Sequence, residues 1–249
     1  MKILILAAAQ ANSEALDGNY PLCLAELDGS PLIERLIENC NSVGDAKFIV
    51  ALRELDIRRF HLDNIVALLA PGSSVVRVME NTRGAACTAL LAASHIDNDE
   101  ELLIINGNEL LDEDFSKILG DFRERNLDAG VVTFPSVHPR YSYVRLNEQH
   151  MVVEAAEKRP ISRHATVGFY WFARGNDFVR AVQNMIRKDA CVNELFYICP
   201  ALNELVLQQA RIGIYGVEPS QYHPLKTERQ LIQFENAIEQ KNSHEPRKA

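Results

Sequence analysis

Met1-Lys2-Ile3-Leu4-Ile5-Leu6-Ala7-Ala8-Ala9 opens the chain, and the apolar run Ile3 to Leu6 entering a small-residue loop, Ala7-Ala8-Ala9, decides the fold. The run is unbroken rather than alternating, as expected for a strand covered on both faces in a parallel sheet. A polar, turn-rich stretch follows, then Tyr20-Pro21-Leu22-Cys23-Leu24 and Asp28-Gly29-Ser30-Pro31-Leu32-Ile33-Glu34. From Pro31 to Asn39, the residues Leu32, Ile33, Leu36 and Ile37 share one face, while Glu34, Arg35 and Glu38 share the other. That spacing predicts an amphipathic helix with proline in its first turn.

The unit repeats along the first half. Strands are predicted at Lys47–Leu52, Ser74–Met79, Glu101–Ile105 and Ala129–Phe134, with helices at Ile57–Leu69, Ala85–Ser94 and Phe115–Asn126 between them. Beyond Phe134 the pattern changes. Tyr141–Leu146 and His150–Glu157 read as antiparallel strands around Asn147-Glu148-Gln149, and Ala165–Phe172 as another strand. Helices at Asn176–Lys188, Tyr197–Gln209 and Thr227–Gln240 and a strand at Arg211–Val217 complete the order. This alternation predicts an α/β fold, a Rossmann-like, mostly parallel mixed sheet flanked by helices. Residues 1–241 are expected to form a single domain and 242–249 a disordered polar tail. Ligands of such sheets bind at the carboxyl ends of the strands. Here those ends are Ala7–Ala9, Glu80–Gly84 and Asn106–Glu109.

Composition narrows the function. The chain has 249 residues, 47% of them hydrophobic and 24% charged, which suits a globular protein with a substantial core. A net charge of −8 argues against a nucleic-acid partner, which calls for a basic footprint. Apolar runs such as Leu102 to Ile105 are too short to span a bilayer, so no membrane partner is expected. The cysteines, Cys23, Cys40, Cys87, Cys191 and Cys199, form no C-x-x-C pair and are odd in number. They read as free thiols of a cytoplasmic protein. The scattered histidines offer no metal spacing. The apolar faces allow a homodimer.

Several segments together resemble one family, the nucleotidyltransferases that activate sugar phosphates and similar phosphorylated metabolites. The opening strand and loop resemble its first strand and glycine-rich loop. Pro21-Leu22-Cys23 stands at its Pro-Lys-Pro, and Gly29-Ser30-Pro31-Leu32-Ile33 at its Gly-x-Pro-Leu-Ile. Asn81-Thr82-Arg83-Gly84-Ala85-Ala86-Cys87-Thr88 is similar to the loop and helix that touch the nucleobase. A glycine there gives a flat base access, and a helix start offers free amides. Asn106-Gly107-Asn108 stands where the family holds magnesium with an aspartate. Glu154 to Pro160 resembles the Glu-Lys-x-Pro segment that contacts the acceptor, and Ala165 to Tyr170 the strand lining that pocket. Asn193-Glu194-Leu195-Phe196-Tyr197 resembles a motif of a subset associated with capsule and surface-polysaccharide biosynthesis.

The resemblance implies a GT-A-like fold and specific roles. Leu6, Ala7, Ala8, Gly84 and Asn106 would bind the nucleotide; Glu157, Lys158, Gly168 and Asn193 would bind a small phosphorylated acceptor. Asn108 takes the metal position, with Glu109 as its substitute ligand for Mg2+. The departures are charged: alanines replace the loop glycines, no arginine lies between Ala7 and Leu24, Leu22 replaces the lysine and Asn108 the aspartate. Near the C-terminus His223-Pro224-Leu225-Lys226-Thr227-Glu228 lacks the second metal aspartate. Each such loss removes on the order of 2–4 kcal/mol of transition-state stabilisation, by analogy with oxyanion donors. The sequence therefore implies an impaired nucleotidyltransferase; the alternative is a pseudoenzyme that binds a ligand or partner without catalysis. A GT-A glycosyltransferase ranks third, because Asp97-Asn98-Asp99 and Asp112-Glu113-Asp114 are both displaced from the strand end.

Overall fold

The computed structural model describes residues 1–8, 20–79, 81–227 and 229–236. In chain order its first half contains β1 (Lys2–Leu6), β2 (Glu26–Leu27), β3 (Ser30–Pro31), α1 (Leu32–Asn39), β4 (Lys47–Arg53), α2 (Glu54–Phe60), α3 (Leu62–Leu69), β5 (Ser74–Val78), α4 (Ala85–Leu90), α5 (Ala93–Ile96), β6 (Leu102–Asn106), β7 (Glu109–Leu111) and α6 (Phe115–Glu124). The second half adds β8 (Ala129–Pro135), β9 (Ser142–Leu146), β10 (Val152–Glu157), β11 (His164–Phe172), α7 (Gly175–Arg187), α8 (Ile198–Leu207), β12 (Ile212–Gly216) and β13 (Tyr222–Pro224). Residues 229–236 are helical, within the predicted terminal helix. Ala9, Glu80 and the expected tail at 242–249 lie outside the described residues.

A nine-stranded sheet organises the molecule, with β10-β9-β11-β6-β1-β4-β5 as its main path and β8 and β12 attached through β11. Its first-half strands, β1, β4, β5 and β6, are parallel: β1 runs between β4 and β6, with Leu6 opposite Ala51 and Asn106. Antiparallel pairing enters with β11, whose Phe169–Phe172 segment lies against β6 and whose opposite edge meets β8. The opening strand shows why its run had to be continuous. Ile3 and Ile5 enter one core with α1, α3 and α6; Leu4 and Leu6 enter the other with α4, α7 and α8. Period-two alternation thus serves two apolar layers rather than one apolar and one wet face. No helix among the described residues is long and apolar enough to cross a membrane.

Two differences from the sequence expectation have physical reasons. The helix predicted over Ile57–Leu69 is two helices, broken at His61, which takes a left-handed φ of 53°. Ile57 and Leu62 are both buried but five positions apart, more than one turn, so an unbroken helix would rotate Leu62 off the core face. The second difference positions the site. The three-residue strands β7 and β13 pair antiparallel, with Pro224 opposite Glu109, and Leu225 N donates to the Asn108 carbonyl at 2.9 Å. No periodicity can reveal strands so short. Their pairing draws the C-terminal segment over the end of β6.

Candidate functional site

The four parallel strands β1, β4, β5 and β6 end at Leu6, Arg53, Val78 and Asn106, and all of these residues face one cleft of about 860 Å³. The far wall comes from the antiparallel strands: Ser142 begins β9, Glu157 ends β10, and Thr166, Gly168 and Tyr170 recur at every second position of β11. Of the residues singled out from sequence, Leu6, Ala8, Gly84, Asn106, Asn108, Glu109, Glu157, Lys158 and Gly168 line this cleft. Ala7 does not; it is buried in the core beneath the loop. Asn193 is also absent from the lining, and with Glu194 it forms a two-residue hairpin turn. Both have positive φ, 49° and 64°, as a type I′ turn demands. The motif reaches the cleft through Tyr197 instead.

Glycines hold the loops together by close backbone approach. Gly107 N donates to the Leu6 carbonyl at 2.9 Å, and a Cβ on Gly107 would fall 2.7 Å from that oxygen, so the ends of β1 and β6 touch. Gly84 has φ 104°, and a Cβ there would lie 2.8 Å from Phe196 N and closer still to its O. Phe196 in turn donates to the Arg83 carbonyl at 2.7 Å and accepts from Ala86 N at 3.1 Å. Gly84 and Ala85 line the cleft, and the conformation of Gly84 also serves a close backbone approach. The glycine makes room for the Phe196 backbone, and one of the first helical amides is already bonded.

The charge of the site comes from Lys158, inside the segment matched to Glu-Lys-x-Pro, and from Arg53, Arg140 and Lys226. Lys158, at φ 53° just past β10, donates to the Tyr197 hydroxyl at 2.9 Å. Arg53 holds Asp56 with two hydrogen bonds of 2.7 Å. Arg140 lies 4.8 Å from the Tyr141 ring centroid, and Lys226 is 2.5 Å from Glu109 Oε1. Burial alone would lower the Lys226 ammonium's pKa, but the Glu109 carboxylate and the nearby Glu157 reverse this, and the net displacement is upward. Of these, Arg53 and Arg140 escaped the sequence reading. Arg53 was detectable as the residue immediately after the predicted strand Lys47–Leu52, at the end where such sheets bind ligands. Leu22, at the family's lysine position, is 5% exposed and belongs to the core beneath α1. No charge can be restored there without unmaking that core.

Glu157 accepts a short hydrogen bond from the Ser142 hydroxyl. Burial pushes its carboxyl pKa up, against the lowering effects of Ser142, Lys158 and Lys226, while Glu109 adds to the rise. A raised folded-state pKa means the proton is held more tightly in the native chain. The associated stability is therefore present below the unfolded value and lost as pH rises through the folded one. Glu157→Gln should thus gain thermal stability over the parent at neutral pH, the gap closing as pH falls into the carboxylate range. Melting curves across pH check this, and a gap that widens on acidification would contradict it.

The donor set does not suit the magnesium that the family typically uses. One oxygen of Glu109 carries the Lys226 ammonium; Oε2 is sealed from solvent and lacks a hydrogen-bond partner among the described residues. Asn108 brings an amide in place of a second carboxylate. No group of three or more His, Cys, Asp or Glu suited to a metal ion occurs among the described residues. The glycosyltransferase-type acidic pairs are employed elsewhere: Asp114 caps α6 by accepting from Ser116 N at 2.9 Å, and Asp112 meets His223 Nε2 at 3.0 Å. Asp99 accepts from Asn176 at 2.8 Å. The cysteines are free; burial pushes the Cys23 and Cys40 thiols up to about 12, far from reactive thiolates.

Known proteins share this architecture. The nucleoside-diphosphate-sugar pyrophosphorylase of Vibrio cholerae RC9 superposes with a TM-score of 0.77 at 18% identity, covering 95% of this chain and 100% of its own. A UDP-glucose pyrophosphorylase complexed with UDP-glucose superposes with a TM-score of 0.78 at 15% identity, over 96% of this chain and 98% of its own. At such identities the likeness concerns the fold. In sequence, the chain is 24% identical over 174 residues to the bifunctional protein GlmU of Methanococcus aeolicus, a match covering 68% of this chain and 39% of that protein. The chain thus spans about two fifths of that relative's length. The profile of the family described as Nucleotidyl transferase matches residues 19–206, well over half the chain. The chain therefore belongs to the nucleotidyl transferase family.

Proposed function

We propose that the cleft binds a nucleoside triphosphate and a small phosphorylated metabolite, with nucleotidyl transfer much slower than in an intact site. The reaction would join an acceptor phosphate oxygen to the α-phosphorus as the bond to the β-phosphate oxygen breaks, releasing pyrophosphate. One observation carries this reading: the nucleobase-loop residue Gly84, the strand-end residues Asn106 and Asn108, and the acceptor residues Glu157, Lys158 and Gly168 line a single cleft. Lys158, Arg140 and Lys226 give that cleft local positive charge within a chain of net charge −8, which suits phosphate. Slow turnover is supported by Leu22 in the core and by the ammonium on Glu109. The same two features favour, as a second reading, a protein that retains its ligand without turning it over. The free cysteines fit a cytoplasmic setting. The likeness of Asn193–Tyr197 to the capsule-associated motif supports a place in surface-polysaccharide biosynthesis.

Calorimetric titration of CTP, UTP and GTP in magnesium-containing buffer, with a pyrophosphate-release assay and sugar 1-phosphates, tests the reading. Saturable binding of at least one triphosphate is expected, with turnover far below the roughly 1–10³ s⁻¹ usual for enzymes. Failure of all three to bind would remove the proposal. Turnover in the usual range would remove the impairment.

A further inference from the structure

The floor of the cleft carries a cation supplied by the chain itself. Glu109 opens β7 with its side chain 5% exposed, and the pairing of β7 with β13 places Lys226 two residues past Pro224, the partner of Glu109. The Lys226 ammonium sits 2.5 Å from Oε1 while 44% of its side chain stays exposed at the cleft. An ammonium has three donors, so engagement with Glu109 leaves others for a ligand. Asn106 Nδ2 supports the same carboxylate oxygen at 3.4 Å, and Gly168 closes over Oε2, where a Cβ would fall 2.6 Å away. The carboxylate is thus fixed from below and delivers the ammonium upward. A divalent ion beside Asn108 would have to displace this ammonium or share the carboxylate with it against direct repulsion.

We propose that Lys226, seated on Glu109, takes the place of a divalent metal as the cation that receives the ligand's phosphates, so that nucleoside-phosphate binding here needs no metal. The inference rests on the nucleotide-binding reading above and specifies how that site is charged. It also accounts for the paired departures at Asn108 and His223–Thr227: with the ammonium in place, a second carboxylate would have nothing to hold.

Calorimetric titration of CTP, UTP and GTP in excess EDTA, beside the magnesium titration, tests it. The best-bound triphosphate should change affinity by less than about threefold between the two buffers. Lys226→Met should weaken it about tenfold or more in both, as for a lost charge-assisted hydrogen bond, and Lys226→Arg should retain most of it. The double variant Glu109→Gln, Lys226→Met, which leaves no unpaired charge to disturb folding, should show the same loss. Binding that EDTA abolishes and magnesium restores would overturn the proposal while leaving nucleotide binding intact. Unchanged affinity in the folded double variant would overturn it too. Absence of binding in both buffers would overturn both this inference and the reading it rests on.

Discussion

Gly84→Ala should lower the melting temperature by about 10 °C, from a destabilisation of roughly 3–5 kcal/mol in a chain of this size. Two costs combine. An L-residue at φ 104° is strained by itself, and the new methyl would enter the Phe196 backbone, 2.8 Å from its nitrogen and closer to its oxygen. Backbone cannot swing aside as a long side chain can. The bonds from Phe196 N to the Arg83 carbonyl and from Ala86 N to the Phe196 carbonyl would lengthen or break together. Gly72→Ala is the control: Gly72 has φ 82° but nothing within 4 Å of its would-be Cβ, so only the roughly 1–2 kcal/mol of backbone strain should appear. Thermal unfolding of the two variants side by side separates clash from strain, and equal losses would mean that the Phe196 approach is unimportant. The effect should extend to the site, since Phe196 leads into Tyr197, the partner of Lys158.

This coupling between residues 84 and 196 marks where the sequence is legible. The parallel half was readable because its central strands bury both faces and so announce themselves as apolar runs: Leu102 to Ile105 are all buried, as are Ile3 to Leu6. The second half was readable in order but not in its edges, since β11 contacts β6, β8 and β9 along its nine residues and switches partners midway. The cleft's outline was legible because strand ends in such sheets converge, which placed Leu6, Asn106 and Asn108 together. Its charge was not. Lys226 reaches Glu109 only through two strands of three residues separated by more than a hundred positions, and their pairing leaves no local pattern. The resemblance assigns Asn193 to the acceptor, and in the structure it stands in a left-handed turn, a conformation that asparagine tolerates. Motif resemblance does not separate a residue held for its backbone from one held for its chemistry.

Lys226→Met alone should cost about 2–3 kcal/mol of stability, and adding Glu109→Gln should recover about 1–2 kcal/mol of it. The asymmetry follows from burial. The Glu109 side chain is 5% exposed and one of its oxygens already lacks a hydrogen-bond partner among the described residues, so removing the ammonium leaves a charge with little solvent to compensate it. Breaking a fully buried pair costs more, about 3–5 kcal/mol; the smaller figure here reflects the 44% exposure of the lysine, through which water screens the pair. Neutralising the carboxylate removes the uncompensated charge and leaves an amide within reach of Asn106. Chemical denaturation of the four chains, the parent, each single variant and the double, gives the coupling free energy directly. A coupling near zero would make Lys226 an ordinary surface lysine that happens to lie near Glu109, and the cleft would then have no fixed cation on its floor. A coupling of 1 kcal/mol or more would mean that the fold holds the ammonium in place before any ligand arrives, so a phosphate meets a preorganised charge instead of having to recruit a metal.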